Sequence, residues 1–367
     1  MKLRLPDNDR AVDLTSWQAQ SELVLSEKTA KLEGAIVSER ILEHSLMRLE
    51  RISFTENLTR NYWFASIKRS RKTRPVAFLL RPNGVPTETD RAILQCLTDG
   101  GFRSAIVRHD GRTALQAREY LSSGAVESWY TLDQVLKEFG GKTEGKARAF
   151  SPRKGTVKEK RALTVLSLSR FAGNAERLLL ERCFANHWLS RSFDYVFDVD
   201  FFSRSKRGLC AIEVKQKDPI TNRAPLEVGI NYGEAKLLSE IASAGVEVYL
   251  FYLIKPHVAR RENKSKPLEL LYNTSLIGRS CWLAARFPLE LQATQQTSTA
   301  GSHTSLTGRK KVSYYTLKLN EHFCRLSPDV GCSGGLEIAP ERLNSFLSGT
   351  LEKVSDKEIL DRWQKDC

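Results

Sequence analysis

The chain has cysteines but no CxxC pair, histidines but no two at ligand spacing, and no apolar run of membrane-spanning length. Its seven scattered cysteines give neither a zinc knuckle nor a disulfide framework, and reduced cytoplasmic thiols are the simplest reading. Cys183 and Cys210 fall on faces expected to be buried, where cysteine acts as a small hydrophobe. His109, His187 and the other histidines stand alone. Met1–Arg10 is polar and unlike a secretory leader. A membrane helix needs roughly 20 apolar residues in succession, and none is found. No heptad announces a coiled coil, and no segment is acidic enough to serve as a tail for basic partners.

Positive charge, by contrast, is plentiful. The net charge of +14 and pI near 9.5 make a field that attracts polyanions and speeds their encounter. The charge gathers at Arg69–Arg74, Lys142–Arg161, Pro256–Lys266 and Gly308–Lys311. These clusters favour a nucleic-acid backbone as partner, with Arg260, Arg261 and Lys264 as candidate phosphate contacts.

At 367 residues the chain has room for about two to three domains. Residues 1–139 read as a smaller α/β unit. It holds an amphipathic helix over Lys28–Glu50, short apolar strands at Pro75–Leu80 and Ser104–Arg108, and a helix at Glu88–Thr98 between them. Gly140–Arg161, rich in glycine and charge without apolar periodicity, is the expected basic linker. Residues 162–367 form the second part, with 280–367 as its extension. Within that extension Gln292–Lys311 is low in complexity and is expected to be a mobile loop. Val312–Leu319 reads as a strand and Glu341–Leu351 as a helix.

The most informative segment is Asp198–Lys217. Strand-forming runs at Tyr195–Phe202 and Leu209–Val214 flank a basic stretch ending in Gly208, the pattern of a β-hairpin. With Lys206 and Arg207 at the tip, Asp200 falls opposite Glu213 and Asp198 opposite Lys215. Alternation then puts Asp198, Asp200, Glu213 and Lys215 on one face, with Phe197, Val199, Phe201, Cys210, Ile212 and Val214 on the other. Carboxylates and an amine on one face of an apolar hairpin are costly to desolvate unless a cation or a reaction requires them. The alternative is a solvated sheet face laced with weak ion pairs. The order of the surrounding elements weighs against it: a helix precedes the hairpin, another follows at Gly233–Ala244, and a buried strand comes at Val246–Leu253.

Asp200 followed by Glu213-Val214-Lys215 resembles the PD-(D/E)XK, or restriction-endonuclease-like, nuclease superfamily over roughly Phe171–Pro256. The resemblance implies an αβββαβ core and metal-assisted hydrolysis of phosphodiesters. The family's first helix often carries a glutamate, which makes Glu176 the candidate here and Glu181 the reserve. No proline precedes the aspartates, so Asp194, Asp198 and Asp200 all remain open as the metal ligand; cross-strand pairing favours Asp200. Hard carboxylate oxygens suit Mg²⁺ or Mn²⁺, held by Asp200, Glu213 and the Val214 carbonyl. Lys215 would orient a water, neutralise the phosphorane or act as base. Lys217, and Arg223 and Asn231 in the loop expected at Asp218–Tyr232, are further candidate phosphate contacts.

A second likeness lies in Arg81–Arg108, which resembles the closing half of a virus-type replication-repair nuclease. The Phe78–Arg81 segment there lacks the catalytic carboxylate and lysine, so this would be an inactive copy; an unrelated small α/β domain is the alternative. The expected function is a DNA endonuclease in defence, mobile-element or repair biology, with DNA favoured over RNA on family grounds. The rival readings are a nuclease subunit needing an ATPase or transposition partner, and a non-catalytic nucleic-acid binder. Paired cuts in both strands would require a dimer.

Overall fold

The computed structural model describes residues 1–6, 11–26, 33–50, 55–67, 74–121, 123, 128–142, 145, 169–205, 208–216, 219–220, 225–255, 257–258, 266–267, 280–287, 295–299, 311–328 and 337–363. The chain opens with a hairpin (β1, Lys2–Arg4; β2, Ala11–Asp13) and helix α1 (Trp17–Ser26). A π-wound turn at Gly34–Ser38 then leads directly into α2 (Glu39–Glu50). Next come β3 (Thr55–Thr59), β4 (Tyr62–Ser66), β5 (Val76–Leu80), α3 (Glu88–Asp99) and β6 (Arg103–His109). Strands β7 (Leu115–Tyr120) and β8 (Tyr130–Thr131) and helix α4 (Leu132–Glu138) follow. Helix α5 (Ser169–Cys183) continues through a π-wound segment at Phe184–Leu189. Beyond it lie β9 (Tyr195–Val199), β10 (Phe201–Ser205), β11 (Gly208–Gln216), β12 (Glu227–Asn231), α6 (Tyr232–Ser243) and β13 (Glu247–Ile254). The remainder comprises β14 (His257–Val258), β15 (Lys266–Pro267), β16 (Cys281–Arg286), β17 (Gln295–Thr299), β18 (Lys311–Lys318) and α7 (Leu319–His322). Strand β19 (Cys324–Arg325) and helices α8 (Pro340–Ser348) and α9 (Asp356–Trp363) complete it. The architecture is mixed α/β. No helix among the described residues is long and apolar enough to cross a membrane.

Two six-stranded sheets carry the fold, in the orders β8-β7-β6-β5-β4-β9 and β19-β16-β13-β11-β10-β3. Each contains a parallel pair, β5 with β6 and β11 with β13. Parallel neighbours need a long crossover, and helices α3 and α6 lie within these two connections. Period-two apolar strands bury both faces. Trp63, Ala65, Val76, Phe78 and Leu80 pack with α1 and α5, whereas Tyr62, Phe64, Ala77 and Leu79 join the cluster that includes α3, α6 and the second sheet. On β13, Leu250 and Tyr252 face that shared cluster, while Tyr249, Phe251 and Leu253 face α2 and α8.

The chain passes between the sheets at two neighbouring places. Strand β3 pairs with β10 in the second sheet, yet β4, two residues later, pairs with β5 and β9 in the first. Asn61 makes that turn with φ of 73°, a left-handed conformation that asparagine tolerates better than most side chains. Strand β9 belongs to the first sheet and β10 to the second, with Asp200 alone between them. A buried network braces this region. The Asp90 carboxylate accepts from Thr59 Oγ1 at 2.7 Å, Tyr62 OH at 2.9 Å, the Thr87 N–H at 2.9 Å, and Arg81 Nη2 and Nε at 2.7 and 2.9 Å. Burial alone would raise the Asp90 pKa, but Arg81 and these hydrogen bonds hold it below the ordinary carboxylate value.

Several expectations change. Tyr195–Phe202 is not one strand, because its first five residues pair with Trp63 and its neighbours while Phe201 and Phe202 pair with Ile212 and Ala211. Phe197 and Val199 therefore pack in the shared cluster, away from Phe201, Cys210 and Ile212. The loop expected at Asp218–Tyr232 contains a strand over Glu227–Asn231, since β12 pairs antiparallel with β18. The stretch expected as a mobile loop at 292–311 contains β17, a polar strand paired with β18. Residues on either side of the expected linker share both large sheets. At its start, the Lys142 N–H donates to the Ser192 carbonyl at 2.8 Å. Residues 143–144 and 146–161 of it lie outside the described residues.

Candidate active site

The β10–β11 register, Phe201 opposite Ile212 and Ser205 opposite Gly208, brings Asp200 beside Glu213 as the sequence predicts. Asp200 Oδ2 accepts the Val214 N–H at 2.6 Å. Lys215 Nζ bonds Glu213 Oε1 and lies 2.7 Å from Glu234 Oε1, a residue in the first turn of α6. Glu213 is only 3 % exposed, and its Oε2 is buried without a hydrogen-bond partner among the described residues. The Tyr252 hydroxyl, on the neighbouring β13 at the Lys215 register position, is likewise buried and unpartnered.

Asp200 also faces a second charged group. A cavity beside it is lined by Glu39, Arg60, Arg177, Glu181 and Asp198 among others. Arg60 holds Glu39 at 3.1 Å and Glu43 at 2.7 Å while lying 4.0 Å over the Phe201 ring. Arg177 holds Glu181 at 2.7 Å across one turn of α5.

Burial raises the Asp200 pKa well above the usual value. Glu39 and Asp198 add repulsion, while Lys215 and the Val214 N–H act in the opposite direction. Burial likewise raises Glu213, with Lys215 opposing and Asp200 and Glu234 reinforcing. Glu39 and Glu181 are raised by burial against the pull of their arginines. Burial works against the Lys215 ammonium, but Glu213, Glu234 and Asp200 outweigh it and lift its pKa well above 10.5.

Among the described residues, no three His, Cys, Asp or Glu side chains close into a metal-binding group. The donor chemistry nevertheless fits a hard divalent cation. Asp200 and Glu213 offer carboxylate oxygens, one of them buried and unpartnered, where negative charge is in excess.

No family model, no curated protein and no solved structure matches the chain. The site is therefore read from its own residues. Asp200, Glu213, Val214 and Lys215 come together. Glu176 does not join them: it is 41 % exposed and its Oε1 lies 3.5 Å from the Met1 amine. Five residues turn a helix by about 140° beyond a full revolution, so Glu181 reaches the cavity from another face of α5. Asp198, opposite Trp63, is exposed and lines the cavity, whereas Asp194 bonds Lys142. Asn231 caps α6, its Oδ1 accepting the Gly233 N–H at 2.9 Å. Lys217, Arg223, Arg260, Arg261 and Lys264 lie outside the described residues. Sequence reasoning missed Glu39, Arg60 and Glu234. An acidic residue in a helix's first turn is ordinary dipole chemistry, so Glu234 carried no distinctive signal, and nothing local marks Glu39.

Proposed function

We propose that the protein is a divalent-metal-dependent nuclease that hydrolyses phosphodiester bonds, with DNA as substrate and endonucleolytic cutting as its mode. The observation that carries this reading is the meeting of Asp200, Glu213 and Lys215 beside the break between β9 and β10. A helix before the hairpin and α6 leading into a strand parallel to β11 support a restriction-endonuclease-like core. Asp200 and Glu213 would hold Mg²⁺ or Mn²⁺, which supplies Lewis acidity to the scissile phosphate and acidifies a bound water. Lys215, kept charged by its carboxylate neighbours, faces the phosphate as a fixed cation and orients the attacking water. Val214 fixes the Asp200 carboxylate through its N–H.

A second reading has an observation of its own. Lys215 lies between Glu213 and Glu234, so freeing it requires those pairs to loosen. A protein or DNA partner that rearranges the site would make this a nuclease subunit that cuts only in a complex.

The test is cleavage of circular plasmid and single-stranded DNA with Mg²⁺ or Mn²⁺, comparing wild type with Lys215→Ala and Asp200→Asn. Metal-dependent cutting lost in both variants is the expected result. DNA binding without cutting would favour the partner-dependent reading, and the absence of both would refute the nuclease.

A further inference from the structure

Away from this site, arginines gather on and beside the first sheet. Arg108 on β6 and Arg118 on β7 share one face of the first sheet, because Arg118 pairs with Ile106 and Arg108 with Gln116. Both guanidiniums lie over the Trp129 ring, with Cζ 3.9 and 4.5 Å from its centroid. Arg91, exposed on α3, lies near enough to repel Arg118. Among the described residues, none of the three pairs with a carboxylate.

The group is held in place. Arg108 Nε and Nη2 both donate to Gln116 Oε1, at 3.0 and 2.8 Å. Gly84, at φ of +70°, allows the close approach, since a Cβ there would lie 2.8 Å from Arg108 Cδ and from the Trp129 ring. Arg118 Nη2 points to the Gly84 carbonyl at 3.4 Å, and its Nε is buried with no hydrogen-bond partner among the described residues. Burial and the two neighbouring arginines all lower the Arg118 pKa. Stacking on an aromatic ring orients a guanidinium while leaving N–H edges for an anion, and planar forks match phosphate oxygens.

We propose that Arg108 and Arg118, stacked on Trp129, together with the neighbouring Arg91, bind the sugar–phosphate backbone of DNA at a site separate from the Asp200 carboxylates. The inference rests on the nuclease reading only in naming DNA as the polyanion; the shared chemistry is recognition of phosphate. Contacts here position the strand without reading its sequence.

The test is DNA affinity across a salt series, using a labelled oligonucleotide with chelator present so that no cutting intervenes. Each phosphate contact contributes roughly 0.7–0.9 to the slope of log K against log salt. Arg91→Gln should lower that slope by about one. Arg108→Gln and Arg118→Gln should lower it similarly, while Arg108→Lys restores much of it. Lys236→Gln, removing an exposed lysine paired with Glu240, is the control expected to leave it unchanged. Arg91 is exposed, so its variant keeps the test decisive if the stacked pair proves necessary for folding. An unchanged slope in Arg91→Gln and in folded Arg108→Gln would overturn the proposal, even if plasmid cleavage is intact. A lowered slope in a protein that cuts nothing would uphold it while the nuclease reading fails. Inorganic phosphate is the competing arm. Arginine-dependent binding of free phosphate with no effect on DNA would overturn the assignment to the backbone.

Discussion

Replacing Lys215 by methionine tests the electrostatics of the candidate site directly. Lys215 is 26 % exposed and bonds Glu213, whose side chain is only 4 % exposed, and it also approaches Glu234. Removing one member of a buried pair leaves an uncompensated charge and costs about 3–5 kcal/mol. Water reaching Lys215 places the expected loss near the lower end, about 3 kcal/mol. Glu213→Gln is the informative counterpart. It neutralises the buried acid while Lys215 keeps Glu234 at 2.7 Å, so its cost stays near about 1 kcal/mol, that of an ordinary hydrogen bond. The pH dependence follows from the Glu213 carboxyl, which burial raises above its unfolded value. Such a group favours the fold below the ordinary carboxylate range, and that contribution is lost as pH rises through its folded pKa. Lys215→Met should therefore approach wild-type stability toward pH 4–5 (near the ~4.3 of an unperturbed glutamate) and fall behind at neutral pH. Urea unfolding in chelator at both pH values measures this. Equal losses in the two variants, or a Lys215→Met deficit independent of pH, would refute the buried-pair argument.

Three further outcomes are expected. Mg²⁺ or Mn²⁺ should raise the thermal midpoint of wild type, by a stabilisation of about 2.7 kcal/mol at 100 times the dissociation constant, and Asp200→Asn should lose that response in calorimetry. Asp90→Ala should cost about 3–5 kcal/mol in urea at pH 7 because it strands Arg81. Asp90 is held below its ordinary pKa, so its contribution is present above the unfolded value and lost as pH falls through the folded one; the deficit should narrow at strongly acid pH. Glu39→Gln should slow plasmid cleavage about 10–100-fold, as supporting residues of metal sites do, whereas Glu176→Ala should cut at the wild-type rate.

The parts legible in the sequence were those with strong periodicity. The Glu88–Asp99 helix, the β10–β11 hairpin and the apolar β13 follow from spacing alone, because burial imposes it. The pairing of Asp200 with Glu213 was legible because a two-residue tip sets the register. The break at Asp200 was not, since Phe197, Val199 and Phe201 keep the alternation of an uninterrupted strand. Only the competing partners, Trp63 on one side and Ile212 on the other, divide it. Strand β17, Gln295–Thr299, carries no apolar residue and exists through its ladder with β18. Glu39 reaches the cavity by tertiary packing, which one-dimensional spacing does not encode. Glu176 and Glu181 both sit on a recognisable helix, and choosing between them required knowing which side of α5 meets the first sheet.

The passage of the chain through Asp200 has a consequence for synthesis. Thr59 must find Phe202, and Trp63 must find Asp198, across more than a hundred intervening residues. Contacts so distant in sequence form late, because the loop-closure entropy is lost before any pairing compensates it. A ribosome that has released only the first 190 residues has delivered β3 without β10, β4 without β9, and Glu39 and Glu181 without Asp200. The carboxylate cluster therefore waits on the stretch that carries β9, Asp200 and β10, which joins both sheets. The proposed cutting activity should accordingly appear no earlier in time-resolved refolding than the burial of Trp63.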